Sequence, residues 1–198
     1  MAAKRLPFNI DVTGRTAVVI AGGPSLTAAD CDHASQSGAF LIGVNDAYRI
    51  AELDVLYASD HGWIEHHHEK IKHGKHLVLT QQHQTSKPPK DDVYWIRGNH
   101  GHDMTSKELN FGGNSGFAAV HLASIWNAER ILLLGFDMTA TNAKRHWFGN
   151  HPGVLHREAG FASWITNFER ANCPTPIINC SRESALNCYP RSTITDEL

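Results

Sequence analysis

Short apolar runs, each bounded by glycine or polar residues, recur along the chain. Seven of them have the length and composition of β-strands, at residues 16–22, 38–46, 53–60, 76–80, 92–98, 129–137 and 175–181. Apolar residues are continuous rather than alternating within these runs, which is typical of strands covered on both faces. The pattern therefore predicts a parallel sheet between two other layers.

Two segments between the later strands have the periodicity of amphipathic helices. They are residues 115–128 and residues 158–171, and the second brings Phe161, Trp164 and Phe168 to one face. Strands that alternate with helices indicate an α/β fold with a mostly parallel sheet. We expect a single-domain, three-layer, Rossmann-like fold.

Length and composition agree with this expectation. The 198 residues, 41% of them hydrophobic, suffice for one domain with a sizeable core. We expect residues 1–14 to be peripheral, and residues 138–157, which are polar and rich in histidine, to form a functional loop.

Charge and hydropathy narrow the expected partners. The net charge of −2 provides no global attraction to nucleic acid or to an anionic membrane. No apolar run reaches the length of a membrane span, and the N-terminus has no apolar signal segment. A cytoplasmic location with no membrane partner is expected, and a homo-oligomer is left open.

Small and polar residues follow nearly every predicted strand. Ligands of open parallel sheets bind beyond the carboxyl ends of the strands, so this edge is the expected site. Gly22 ends the first run, while Asn45, Asp60 and Asp137 stand at or near the ends of later ones. Their convergence is a stronger signal than any single motif.

Two glycine-rich turns belong to this edge. "GGPS" at residues 22–25 ends the first strand, and "GGNSG" at residues 112–116 precedes the helix that starts near residue 115. Glycine permits close approach to the backbone, Pro24 fits the first turn of a helix, and free N–H groups there attract anions. Each also has a plainer interpretation, as a tight turn or as helix capping by Asn114 or Ser115. Together they favour a phosphate ligand between them.

Fourteen histidines raise the question of metal binding. The triplet at residues 66–68 has no regular spacing to a carboxylate or thiol, and we predict that it lies on a solvent-facing helix surface. His146 and His151 lack the HExxH context of a zinc site, so no metal is predicted. They suit acid–base chemistry, or belong to an exposed loop, and the neighbouring Lys144 and Arg145 would neutralise a phosphate.

Several of these stretches resemble bacterial sialyltransferases of the Campylobacter type, and equally the related family that includes archaeal hydroxymethylpterin pyrophosphokinases. The stretches are "VVIAGGPSL" at residues 18–26, Asn45, and "NSGFAAVHLASIWNAERILLLGFDM" at residues 114–138. "HWFGNHPG" and "INCSRESALNCYPR" are also similar to small proteins encoded by bacteriophages. The resemblance covers residues 16–191.

The resemblance implies a glycosyltransferase that uses a nucleotide sugar and requires no metal. His151 lies near the family's catalytic histidine, but one residue further from the preceding glycine, so His146 is its substitute; Asp60 stands where the family has a donor-contacting asparagine. Lys144 and Arg145 would replace the tyrosine pair that binds the departing phosphate. The residues expected to bind the nucleotide are Gly22, Gly23, Pro24, Ser25, Asn45, Asn114, Ser115, Gly116, Gly135 and Asp137.

Two other functions remain open. An ATP-dependent pyrophosphokinase, or another phosphoryl transferase, would need Mg²⁺ held by carboxylates, for which Asp60 and Asp137 are the candidates. A non-catalytic phage protein would bind or sequester a nucleotide without changing it. The acceptor of a glycosyl transfer would be a small molecule, a glycan or a modified nucleic-acid base.

Overall fold

Seven parallel strands form the central sheet of the protein. The computed structural model describes residues 10–74, 76–81, 90–141, 143–151, 153–155 and 160–198. Its strands are β1 (Thr16–Ile20), β2 (Phe40–Val44), β3 (Val55–Tyr57), β4 (Leu77–Gln81), β5 (Tyr94–Ile96), β6 (Gly98–Asn99), β7 (Leu109–Asn110), β8 (Arg130–Leu134) and β9 (Ile177–Asn179). β6 and β7 pair separately as a small second sheet.

Helices connect most of the strands. They are α1 (Ala28–Gln36), α2 (His61–Ile71), α3 (Ser115–Ile125), α4 (Phe161–Arg170) and the short α5 (Ile194–Glu197). Two 3-10 helices, Asn45–Arg49 and Gly153–Leu155, lie in the connections. No helix within the described ranges is both long and apolar enough to cross a membrane.

The strand order in the sheet is β5-β4-β3-β2-β1-β8-β9, so the chain adds strands first on one side of β1 and later on the other. Strands β2 to β5 extend to one side of β1, and β8 and β9 extend to the other. Val18 of β1 is in register with Leu41 of β2 on one side and with Leu132 of β8 on the other. The connections on the two sides of β1 therefore diverge, which leaves a crevice above the carboxyl ends of β1 and β8.

The two faces of the sheet are buried under different helices. Ala17 and Val19 of β1 belong to the cluster that contains the apolar residues of α3, including Phe117. Val18 and Ile20 belong to a second cluster with residues of α1 and α5. Because successive side chains of a strand point to opposite faces, the continuous apolar runs cover both.

The predicted α/β fold with a mostly parallel sheet flanked by helices is confirmed, and all seven predicted strand regions contribute to the main sheet. The strands are shorter than the apolar runs. The run at 38–46, for example, ends as a strand at Val44, because Asn45 has φ +50° and begins a 3-10 helix.

The N-terminal segment enters the core before β1 begins. Of the predicted peripheral residues 1–14, positions 1–9 lie outside the described residues. Val12 is fully buried, and its N–H donates to the carbonyl of Trp126 at the end of α3. The described part of this segment therefore covers one end of the apolar core.

Replacing Phe117 by alanine is expected to lower the free energy of unfolding by about 3–5 kcal/mol, because it empties a fully buried site. The Phe117 ring lies 5.1 Å from that of Phe168 on α4, so both helices lose contacts. Urea denaturation at pH 7.5 measures the loss. Phe161→Ala removes the same side chain from a half-buried position and is the control, and an equal loss in both variants would contradict this account.

Candidate functional site

A cavity of about 480 Å³ opens at the carboxyl edge of the sheet, beside the reversal of strand order. This volume falls within the range of small-molecule sites. The segments that follow β1, β2, β3 and β8, the end of β4, the first turn of α3 and the start of α4 form its wall. Of the predicted site residues, the wall contains Gly22, Gly23, Asn45, Asp60, Asn114, Ser115, Gly116, Gly135, Arg145 and His146.

The remaining predicted residues lie outside this wall; they are Pro24, Ser25, Asp137, Lys144 and His151. Pro24 does not enter the first turn of a helix as expected, because α1 begins at Ala28 with Thr27 as its N-cap. Lys144 is exposed to solvent.

The turn after β1 binds a carboxylate of the protein itself. The backbone N–H of Ser25 donates to Asp137 Oδ2 at 2.7 Å, and the Ser25 hydroxyl donates to Oδ1 at 2.9 Å. The N–H of Gly23 donates to the carbonyl of Gly135 at 2.8 Å. Contrary to expectation, the Gly23 and Ser25 N–H groups are thus not free for a ligand anion. They join the turns that follow β1 and β8.

Asp137 is almost completely buried. Burial raises the pKa of its carboxyl, and the hydrogen bonds from Ser25 oppose that shift. The C-terminal segment reinforces the same turn, since the Ala185 N–H donates to the Asp137 carbonyl and the Ser184 hydroxyl to that of Phe136. The position of Asp137 therefore indicates a structural role.

The glycine-rich turn before α3 directs the start of that helix into the cavity. Gly112 and Gly113 have φ of +54° and +76°, which glycine adopts without strain. Asn114 is the N-cap, as one interpretation of the sequence predicted, and its Oδ1 accepts from the Phe117 N–H at 2.8 Å. Ser115 and Gly116 follow in the cavity wall, and N–H groups at this level of a helix have no intrahelical partner.

Two side-chain amides in the wall retain hydrogen-bonding capacity. Asn45 Oδ1 and Asn114 Nδ2 are both buried atoms without a hydrogen-bond partner among the described residues. Buried polar atoms of this kind are uncommon and costly, and at a binding site a ligand is a ready partner. The φ of +50° at Asn45 places its amide at the wall directly after β2.

His146 is the titratable group best placed for proton transfer. Burial, with the nearby His151 as the next cause, lowers the pKa of His146 to about 4, so its imidazole is neutral at pH 7. The backbone of Gly22 opposes this lowering of the pKa. Nδ1 is the ring atom that faces Gly22, since a Cβ built on that residue would lie 3.1 Å from Nδ1. We therefore assign the proton to Nδ1, which makes Nε2 the proton acceptor.

His151 lies behind His146. The two ring centroids are 4.7 Å apart, and His151 Nδ1 is 3.8 Å from Oδ2 of the buried Asp46. His151 is therefore adjacent to the cavity histidine, but the cavity wall contains His146 alone of the two.

The segment that carries both histidines is attached to the sheet edge. The Trp147 N–H donates to the Gly22 carbonyl at 3.1 Å. The Arg49 guanidinium lies over the rings of Trp147 and Phe148, at 5.4 and 4.9 Å from their centroids. Such contacts stabilise the position of His146 relative to β1.

Asp60 lines the cavity but also caps α2, where its Oδ1 accepts from the Gly62 N–H at 2.8 Å. Because Asp137 is outside the cavity wall, the two carboxylates considered for Mg²⁺ do not both face the cavity. Among the described residues, no group of three or more His, Cys, Asp or Glu side chains is placed to hold a metal ion.

The expectation of a solvent-facing histidine triplet is wrong for His67. Its ring is buried, stacks on Trp63 at 4.4 Å, and has Nδ1 3.0 Å from the Tyr48 hydroxyl. The α2 helix turns Trp63, Ile64 and His67 toward the sheet, and a run of three histidines obscures that periodicity in the sequence.

Sequence reasoning missed much of the cavity wall. Phe161 and Trp164 were assigned only to helix packing, and Ser59, Gln81, His100 and Phe111 were not identified as site residues. Asp46, which directly follows Asn45 after β2, was given no role. Its position at a strand end could have indicated a site residue. His100 and Phe111 lie in irregular segments, whose sequence has no pattern that points to the cavity.

Comparison of the chain with protein-family models, with curated proteins and with solved structures gave no match. The resemblance noted from its motifs is therefore an expectation that these comparisons do not address.

Gly23→Ala is expected to destabilise the protein by more than about 2 kcal/mol. A Cβ at this position would lie 2.1 Å from Asp137 Oδ1 and 2.5 Å from the Gly135 carbonyl oxygen, so the joined turns must separate. Gly153→Ala is the control in the same thermal and urea denaturation experiments, because its Cβ would meet no atom of the described residues within 4 Å. Equal stability of the two variants would contradict the tight packing of these turns.

Stability should also depend on pH through His146. The pKa is about 4 in the folded protein against 6.5 for an ordinary histidine, so the unfolded chain binds more protons between these values. Protonation therefore favours the unfolded chain below pH 6.5. The free energy of unfolding falls as the pH drops from 6.5 toward 4, by up to about 1.4 kcal/mol per pH unit.

His146→Phe, which keeps an aromatic ring beside Phe148, should therefore show a shallower loss of unfolding free energy than the wild type between pH 6.5 and 4.5. Urea denaturation across this range measures the slope. His66→Gln, on the exposed face of α2, is the control, and identical slopes for wild type and His146→Phe would contradict the assigned burial.

Proposed function

We propose that this chain is a nucleotide-dependent transferase, with a nucleotide sugar as donor and His146 as the base that activates the acceptor. The observation that supports this proposal is that the imidazole of His146, whose pKa burial lowers to about 4, lies in the same cavity wall as the first turn of α3. A base must be unprotonated to accept a proton, and an anion must find donors, and this cavity contains groups of both kinds.

The wall has separate chemistry for the two parts of a nucleotide. Phe111, Phe161 and Trp164 provide aromatic surface for a base. The N–H groups of Ser115 and Gly116, together with the Arg145 side chain, suit the phosphates. This division supports a nucleotide over a wholly apolar ligand.

In the proposed reaction, an acceptor hydroxyl attacks the anomeric carbon of the donor. The new C–O bond forms as the bond to the phosphate oxygen breaks, and that oxygen leaves with the electron pair. The hydroxyl proton passes to His146 Nε2. Charge on the departing phosphate would be stabilised by the first turn of α3 and by Arg145.

His146 replaces His151 as the proposed base because only His146 is in the cavity wall. No observation favours phosphoryl transfer through Asp60 and Asp137, since Asp137 is engaged by Ser25. A non-catalytic nucleotide-binding protein would use the same cavity, and the test below separates it.

Calorimetry with nucleoside monophosphates, diphosphates and the corresponding nucleotide sugars tests binding, and mass spectrometry of the incubated donor tests turnover. We expect binding of at least one donor and its hydrolysis or transfer. His146→Ala should keep donor affinity within about threefold and reduce turnover by about 10²-fold or more, which is the usual contribution of a general base.

His66→Ala, on the exposed face of α2, is the matched control and should leave both quantities unchanged. A nucleotide bound tightly but recovered unchanged would replace the proposal with the non-catalytic function. Release of AMP from ATP that requires Mg²⁺ would replace it with phosphoryl transfer. The absence of binding to any of these compounds would overturn it.

A further inference from the structure

A buried carboxylate lies behind the two histidines of the candidate site. Asp46 directly follows Asn45 in the 3-10 helix after β2 and is 2% exposed. Its Oδ2 accepts from Trp63 Nε1 at 2.9 Å, and its Oδ1 pairs with the Arg49 guanidinium at 3.1 Å. These two contacts fix the orientation of the carboxylate, which has Oδ2 3.8 Å from His151 Nδ1.

The carboxylate distinguishes one histidine of the pair from the other. The rings of His146 and His151 are 4.7 Å apart and inclined at 60°, and both contact the ring of Phe148. Two imidazolium charges at this separation repel each other, so a single charge is favoured. His151 has the carboxylate beside it and is 17% exposed, whereas His146 is desolvated at the cavity wall.

Other charged or titratable groups surround the pair. Arg49 on the 3-10 helix offsets part of the Asp46 charge, and His67 on α2 interacts with both Asp46 and His151. Arg145, on the same segment as the histidines, adds a positive charge near His146. Arg145 acts in the same direction as His151, because each disfavours a second cation at His146.

We propose that Asp46 is a positioning residue that keeps the imidazolium charge on His151, and thereby leaves His146 neutral and ready to accept a proton in the cavity. The inference rests on the proposed function for its catalytic meaning, but the charge distribution can be measured without a substrate. Asp46 does not line the cavity. Its charge also reaches His146 directly and favours protonation there, but burial and the neighbouring His151, which disfavour protonation, have the larger influence on the His146 pKa.

The arrangement also accounts for release of the proton. When His146 takes a proton from a hydroxyl, two like charges face each other across the pair. The proton on His146, where burial disfavours the charge, then passes to water, which returns the pair to a single positive charge on His151. One proton enters the pair and one leaves it, with no change of oxidation state.

NMR titration of the imidazole ¹⁵N and Hε1 signals tests this proposal on the whole protein. In His151→Gln the midpoint of His146 should rise by about one pH unit, because a neighbouring positive charge is removed. In Asp46→Asn the midpoint of His151 should fall by about one pH unit, because an adjacent negative charge is removed. His151→Gln leaves the buried Asp46 network intact, so the proposal stays testable if Asp46→Asn does not fold.

Asp32→Asn removes a carboxylate from the exposed surface of α1 and is the control, which should shift neither midpoint. Unchanged titration of His146 in His151→Gln, or of His151 in a folded Asp46→Asn, would overturn the proposal. Coupled titration without any bound or converted nucleotide would contradict the proposed function alone. Turnover of a nucleotide sugar with independent titrations would contradict the role of Asp46 alone.

Discussion

The hydrogen bonds between Ser25 and Asp137 join the two halves of the sheet edge on which the site is built. β1 and β8 are neighbours in the sheet, but the chain leaves them in different directions, and nothing in the strand pairing itself determines how the two following turns meet. The Asp137 carboxylate accepts from both the N–H and the hydroxyl of Ser25, and Gly23 donates to Gly135 beside it. The segments on both sides of the crevice are thereby held in one arrangement.

This internal carboxylate changes the meaning of the glycine-rich turn after β1. A turn of this composition is a known solution for binding a ligand phosphate, but here a protein anion takes the donors of Ser25. In the proposed function, the anion therefore binds at the start of α3. There Asn114 caps one N–H group, and Ser115 and Gly116 follow in the cavity wall. Two similar glycine-rich turns therefore have different tasks, one structural and one facing the cavity.

The architecture was accessible from the sequence because burial on both faces of a parallel sheet leaves a strong signal. Continuous runs such as that ending at Val44 stand out whatever the tertiary contacts are, and polar residues at strand ends identify the carboxyl edge. Asn45 was predicted in this way, whereas His146 was predicted from the histidine-rich loop and from the family resemblance. The same reasoning predicted that Ser25 and Asp137 bind a ligand, whereas they bind each other. The sequence does not reveal a hydrogen bond between two polar residues that are 112 positions apart.

The missing parts of the site come from contacts that have no periodicity. Phe111 reaches the cavity from an irregular segment, and Trp164 does so because α4 starts above the strand ends. The burial of His67 depends on which face of α2 turns to the sheet, and the neighbouring histidines hide that face. Side chains of this kind are specified by packing between distant segments, which a single sequence displays poorly.

The Gly22 carbonyl connects the scaffold to the chemistry. It accepts the Trp147 N–H, which fixes the path of the histidine segment beside the β1 turn. The His146 ring turns its Nδ1 toward Gly22, so the same turn orients the proposed base. A Cβ at Gly22 would lie 3.1 Å from His146 Nδ1, so a larger residue there would push on the histidine ring. The proposed base lies on a long connection, and it thus takes its position from the central strand of the sheet, which is the most constrained part of the fold.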